Sequence, residues 1–263
     1  MMQLKKDALW VREALKEGKT LIGSHIFAGS PMLSELISSV GYDLVWVDME
    51  HTPFSGMDVL NNVIAVRAGG AASLVRIPWN DPILAKPILD MGPDILLFPN
   101  IRNAEEGMKA VEACEYPLKG IRGYGPQRAF MFGECSQTEY VKEKSKHMIK
   151  ALQIEHIDAV NDLERIADIE GADLFIVGPN DLTGSLGVLG EFHHKEVTRA
   201  FDRIGEVLTK KKRPFGVSVG YDPKTLREWR DRGAQILFAG YDTGFVADGA
   251  RNAFKGLSEI ISE

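Results

Sequence analysis

Four times along the chain, an amphipathic stretch stops at a glycine and gives way to a short run that is apolar at every position. Gly41-Tyr42-Asp43 leads into Leu44-Val45-Trp46-Val47, and Gly92-Pro93-Asp94 into Ile95-Leu96-Leu97-Phe98. Gly171-Ala172-Asp173 leads into Leu174-Phe175-Ile176-Val177, and Gly233-Ala234-Gln235 into Ile236-Leu237-Phe238-Ala239. A glycine just past a helix supplies the left-handed C-cap, after which the chain can enter a strand. A strand that is apolar on both faces belongs to a buried parallel sheet. Runs at 20–26, 72–77, 150–154 and 215–219 bring the predicted strands to eight.

Helical spacing marks 31–40, 81–90, 104–115, 159–169, 196–211 and 223–232 between most of these strands. No helix is assigned between the second and third. An N-terminal helix at 3–17 is predicted from Leu4, Ala8, Val11 and Leu15, which recur until Gly18. Strands and helices in alternation predict an α/β fold closed as a (β/α)8 TIM barrel. A doubly wound open sheet is the alternative, but no Gly-x-Gly-x-x-Gly follows the first strand. The whole chain, 1–263, reads as one barrel domain, with an inserted loop region at about 116–148. After Ala250, apolar residues at helical spacing fit two roles, closing this barrel or docking on a neighbouring subunit.

Composition removes several classes. The formal charge of −6 lacks the basic excess of a nucleic-acid binder. Lys210-Lys211-Lys212-Arg213 reads as a solvated helix C-terminus, where cations suit the dipole. No apolar run is long enough to span a bilayer. Two cysteines, Cys114 and Cys135, make no disulfide framework or metal motif, so a cytoplasmic protein is expected.

In a barrel of this kind, catalytic groups sit at the C-terminal ends of strands. The second strand ends in Asp48-Met49-Glu50-His51, the third at Arg76, the fifth in Gln153-Ile154-Glu155, and the sixth in Gly178-Pro179-Asn180-Asp181. Glu155 and Asp181 offer hard oxygen ligands suited to Mg²⁺ or Mn²⁺. Each also fits a solvated carboxylate, and Asp181 a helix cap. Arg76 on a buried strand needs an anionic partner, either an enolate or an internal bridge to Asp48. His51 is a candidate base that Asp48 could orient. His25 lies within the first strand with its side chain in reach of the interior. No lysine occupies the C-terminal half of a strand, which excludes Schiff-base chemistry and leaves a metal to hold any enolate.

With these motifs in order, the sequence resembles the HpcH/HpaI aldolase family, metal-dependent aldolases of pyruvate. The matching pieces are Val47-Asp48-Met49-Glu50-His51, Val75-Arg76-Ile77-Pro78, Asn80-Asp81-Pro82, Leu89-Asp90-Met91-Gly92, Gly120-Ile121-Arg122-Gly123, Gln153-Ile154-Glu155 and Gly178-Pro179-Asn180-Asp181-Leu182. The resemblance implies that Glu155 and Asp181 bind a divalent metal (Mg²⁺, Mn²⁺ or Co²⁺), with no organic cofactor. It implies proton transfer by His51 paired with Asp48, contact of Arg76 with the keto or enolate oxygen, and substrate binding by Gln153, Asn180 and Asp181. Asp90 corresponds to an aspartate near the subunit contact. The family also implies a last helix exchanged between subunits and a hexamer built as a trimer of dimers. One departure concerns the pocket: many relatives carry Leu-Trp where this chain has Ser24-His25 after Gly23.

The expected activity is therefore a class II aldolase or lyase joining a 2-keto acid to an aldehyde. Alternatives on the same enolate chemistry are a citramalyl- or malyl-type thioester lyase and an oxaloacetate decarboxylase. A non-catalytic barrel that binds a keto acid is the alternative from another class.

Overall fold

Runs that are apolar on both faces need cover on both faces, and the chain provides it by closing its sheet. In the computed structural model, which describes residues 6–262, eight parallel strands form a closed barrel in sequence order. They are β1 (Leu21–Ile26), β2 (Leu44–Asp48), β3 (Ala72–Arg76), β4 (Ile95–Phe98), β5 (Ile149–Ile154), β6 (Leu174–Val177), β7 (Phe215–Val219) and β8 (Ile236–Tyr241). Alternate residues of most strands divide between an inner and an outer core. Leu44, Trp46, Leu74, Leu97, Ile176 and Phe238 pack inside the barrel. Val47, Val75, Leu96, Leu152, Phe175 and Val177 pack outward against the helices. Gly23 has no side chain for a steric reason: a Cβ there would lie 2.3 Å from the Phe238 ring.

The first helix, α1 (Ala8–Lys16), sends Ala8, Val11 and Leu15 into the inner core and so plugs the N-terminal end of the barrel. Residues 3–5 of its predicted extent lie outside the described residues. Asp7 caps it, accepting a hydrogen bond from the Trp10 amide at 3.0 Å. Buried Asp94, just ahead of β4, fixes this plug to the sheet. Its Oδ1 accepts from the Ala8 amide (3.2 Å) and its Oδ2 from the Ser73 amide (2.9 Å) and hydroxyl (2.8 Å). Asp94→Ala leaves those donors without partners in a dry setting. It is expected to lower stability by about 3 kcal/mol, seen as a lower urea midpoint with an unchanged denaturant slope.

Two helices differ from expectation. Gly56–Ala68 forms helix α3 in the interval where none was assigned; α2 is Pro31–Val40. Its buried face includes Asn62, which breaks the apolar period. In the structure that amide accepts from Ser34 Oγ (2.6 Å) and donates to the Asp58 carbonyl (2.7 Å). The readable signal was the capping box, in which Ser55 and Asp58 exchange hydrogen bonds. The single helix expected at 159–169 is instead two short ones, Ile157–Asn161 and Leu163–Ala167. Asp162 separates them, and its carboxylate accepts from the Ala104 amide at 2.8 Å. That contact caps the start of the helix Ala104–Cys114.

The inserted region carries a short helix, Gln137–Lys142, and packs on the barrel through Arg122. This guanidinium is buried, sits 4.7 Å from the Tyr116 ring centre and pairs with Asp90 at 3.1 Å. Lys150, at the start of β5, bonds Glu115, far from the strand's C-terminal end.

Candidate active site

The ends of β2 and β3 lie side by side, with Asp48 in register with Arg76. Arg76 donates to Asp48 through Nε (2.9 Å) and Nη2 (2.6 Å), a two-point pair. Asp48 is fully buried, and its Oδ1 also accepts from the Glu50 amide at 3.0 Å. The Glu50 carboxylate approaches Arg76 Nη1 at 2.7 Å. That contact is an ion pair without an aligned hydrogen bond, since Glu50 Oε2 has no hydrogen-bond partner.

A corner residue links these carboxylates to β5. Asn100, just after β4, holds a left-handed backbone (φ 58°), which asparagine tolerates better than most residues. Its side-chain amide donates to Glu50 Oε1 (3.0 Å) while its backbone amide donates to Glu155 Oε1 (2.7 Å). The other oxygen of Glu155 accepts from Gln153 Nε2, which agrees with the expectation that alternation puts these two side chains on one face. Gly178, at the end of β6, abuts them: a Cβ there would lie 2.7 Å from Glu155 Oε2.

Burial is the main cause that raises the Glu155 carboxyl to about 7. The Asn100 amide and Arg76 pull it back, while the negative charges of Glu50 and Asp181 push it further. Glu50 is raised too, again chiefly by burial, with Arg76 opposing. Gln153 Oε1 is buried with no hydrogen-bond partner. Asn180 and Asp181 lie exposed in the first turn of the helix Pro179–Ser185 and border the same opening. Asp181 does not cap that helix, because Gly178 holds the cap position.

Of these groups, Arg76, Gln153, Gly178, Asn180 and Asp181 line a cavity of about 370 Å³ at the C-terminal mouth, with His25, Trp46, Ser218 and Tyr241 forming another part of its wall. His51 stands exposed at its rim. Asp48, expected to orient His51, does not do so: its carboxylate is engaged by Arg76 and the Glu50 amide. The pairing expected between neighbours in sequence loses to one between neighbours in register. Glu50 and Asn100 were not among the expected site residues. The acidic motif at the end of β2 was the signal for Glu50; only the fold brings Asn100 to it. A larger cavity, about 650 Å³, lies at the opposite end of the barrel, edged by Arg12, Lys16, Lys212 and Arg213. Arg12 pairs with Asp173 at 2.8 Å, and the other three stand at or just past helix C-termini, where the dipole accounts for them.

His25 is nearly fully buried, and burial is the main cause that lowers its pKa to about 4. The folded state therefore refuses a proton that the unfolded chain accepts between pH 6.5 and pH 4. Stability rises with pH across that window and is lost as pH falls through it. The total from this group is about 3 kcal/mol. A His25→Asn variant is expected to lose about 3 kcal/mol less stability than wild type between pH 6.5 and pH 4, read from urea titrations across that window.

A closed barrel with acids, amides and one guanidinium converging on its C-terminal mouth has the layout of a barrel enzyme, and its relatives narrow the class to carbon–carbon lyases. The chain belongs to the HpcH/HpaI aldolase/citrate lyase family, whose model matches residues 22–249. A 4-hydroxy-2-oxo-heptane-1,7-dioate aldolase from Shigella sonnei is 33% identical over 91% of each chain. The protein of the same name from Escherichia coli is 32% identical over 91% of each. Among solved structures, an HpcH/HpaI aldolase/citrate lyase family protein from Burkholderia cenocepacia superposes with a TM-score of 0.88 at 29% identity. That match covers 94% of this chain and 98% of the other. An HpcH/HpaI aldolase from Desulfitobacterium hafniense gives 0.87 at 26% identity, covering 95% and 96%.

Proposed function

We propose that the chain is a divalent-metal-dependent aldolase that makes or breaks the bond between the enolate of pyruvate, or a related 2-keto acid, and an aldehyde. The observation that carries this reading is the surplus of negative charge at the mouth. Glu155 is buried beside Glu50 and Asp181, its carboxyl is raised to about 7, and Gln153 Oε1 is bare next to it. A cation offsets each of these costs. Among the described residues no set of three or more His, Cys, Asp and Glu forms a ready-made cage. Two carboxylates suffice for an Mg²⁺-type ion that completes its shell with water and substrate oxygens. Glu155 and Asp181 would hold Mg²⁺, Mn²⁺ or Co²⁺. When bound, the ion supplies Lewis-acid polarisation of the keto oxygen.

The chain's own residues do the rest. Asp48 takes two of the five guanidinium N–H groups of Arg76. Glu50 lies against Nη1 at 2.7 Å, and the N–H groups not engaged by the two carboxylates would serve the oxygen that gains charge as the enolate forms. Asp48 and Glu50 hold that guanidinium still, so little reorganisation accompanies the reaction. Gln153 and Asn180 orient the keto acid. His51 at the rim takes the proton from the aldol hydroxyl in cleavage, without help from Asp48. Pyruvate release from a panel of 4-hydroxy-2-keto acids, with each of the three cations, tests the reading. Asp181→Ala is expected to reduce release by about three orders of magnitude. Unchanged turnover would overturn the metal assignment, and binding of pyruvate without turnover would favour a sensor.

The assembly is a homo-oligomer in this reading. The last helix, Asp242–Ser262, buries only Asp242 among its described residues, while Phe254 (74% exposed), Leu257 (62%), Ile260 (69%) and Ile261 (85%) stay open. Met32 and Val40 of α2 are also exposed. Exchange of the last helix between subunits, in a trimer of dimers, would cover these surfaces. Ile260→Glu is expected to shift the light-scattering mass to a smaller species. Among the described residues no helix is long and apolar enough to cross a membrane, and the proposed compartment is the cytoplasm.

A further inference from the structure

Beyond the carboxylates and Arg76, part of the cavity wall is built from a second polar system. His25 Nδ1 lies 3.0 Å from the Gly240 carbonyl oxygen, and His25 Nε2 lies 3.0 Å from Ser218 Oγ. A carbonyl only accepts, so Nδ1 carries the proton. Burial keeps the ring neutral at neutral pH, which leaves Nε2 as a bare lone pair. Ser218 must then donate its one proton to Nε2.

The order is fixed from both ends. Gly240 holds φ 76°, and a Cβ there would strike the Phe245 ring at 2.4 Å, so only glycine fits the bend that aims this carbonyl at His25. The His25 ring is wedged among Phe27, Trp46 and Phe238 at centroid distances of 5.8, 4.9 and 5.6 Å. Trp46 in turn carries the Arg76 guanidinium 5.0 Å from its ring centre, so this wall adjoins the site of enolate chemistry. Half-buried Ser218 thus presents to the cavity an oxygen whose lone pairs are free and whose proton is spent.

Resting on the aldolase reading, we infer that the Ser218–His25 pair is a specificity element for a neutral, hydroxyl-bearing aldehyde, which donates a hydrogen bond to Ser218 Oγ. A carboxylate at that position would meet lone pairs only. The cavity's one permanent cation, Arg76, is already held by Asp48 and Glu50. An alkyl aldehyde would cover the lone pairs of Ser218 Oγ without offering them a donor.

The test pairs the enzyme with pyruvate, Mn²⁺ and three aldehydes: glycolaldehyde, propanal and succinic semialdehyde. Wild type is expected to favour glycolaldehyde in kcat/KM by about tenfold over each of the others, the worth of one net hydrogen bond. In Ser218→Ala the ratio of glycolaldehyde to propanal should collapse towards one. Equal or reversed ranking in wild type, or an unchanged ratio in the variant, overturns the inference. Deuterium exchange at the pyruvate methyl group, run on wild type without aldehyde, separates the two levels. Exchange with the wrong ranking sinks the specificity element alone, whereas no exchange with any cation sinks the aldolase reading beneath it.

Discussion

Glu155→Gln is expected to reduce metal-dependent pyruvate release by about three orders of magnitude while making the metal-free protein harder to unfold above pH 7. The loss of rate follows from removing one of two anionic ligands, where a Lewis acid is worth several kcal/mol of barrier. The gain in stability follows from the raised carboxyl. The folded state holds a proton up to about pH 7 that the unfolded state releases near pH 4.5. Stability therefore falls as pH rises through that window, and at pH 8 the carboxylate costs about 3 kcal/mol. The amide removes this cost and keeps an acceptor for the Asn100 N–H. Gln153 can turn its own amide over, because its Oε1 has no partner to lose. Urea titrations at pH 5 and pH 8 read the effect, with variant and wild type diverging only at the higher pH. In wild type, added cation should recover the same stability. A variant less stable than wild type at pH 8 would mean that Glu155 is a structural ligand of Asn100, not a site tuned for a cation.

Arg76→Met is expected to lower stability by about 3–5 kcal/mol, because buried Asp48 and half-buried Glu50 are then left without a counter-charge. Pyruvate turnover should drop about 100- to 1000-fold, the usual loss when one donor to a developing oxyanion is removed. These effects can be separated. Adding Asp48→Asn to Arg76→Met removes the stranded buried charge and should return most of the stability, but none of the rate. If rate returned with stability, Arg76 would serve the fold alone. Arg76→Lys keeps the charge and loses the two-point pair. It should fall between the two in both measurements.

How much of this was legible beforehand differs from residue to residue. The helix Pro31–Val40 was bounded correctly from its period and glycine stop. Helix α3 was missed because a buried Asn62 interrupts the apolar face, and only Ser34 and the Asp58 carbonyl explain why it is tolerated there. Gln153 and Glu155 were placed together by simple alternation. The partner of Asp48 was not, because His51 is near in sequence while Arg76 is near in space. His25 was located within β1, but its link to Ser218, 193 positions away, exists only after closure brings β1, β7 and β8 to one mouth.

By itself the sequence determined the two periodicities, hence eight doubly buried strands, and the rule that polar residues at their C-terminal ends share one rim. Both follow from local geometry, since side-chain direction along a strand depends only on neighbouring residues. Tertiary structure decided which of those groups pair, which carboxyl becomes dry enough to hold a proton near neutral pH, and where Ser218 sends its own. Those outcomes depend on distance and dielectric across the closed barrel, and neither is defined until residues far apart in the chain have been packed together.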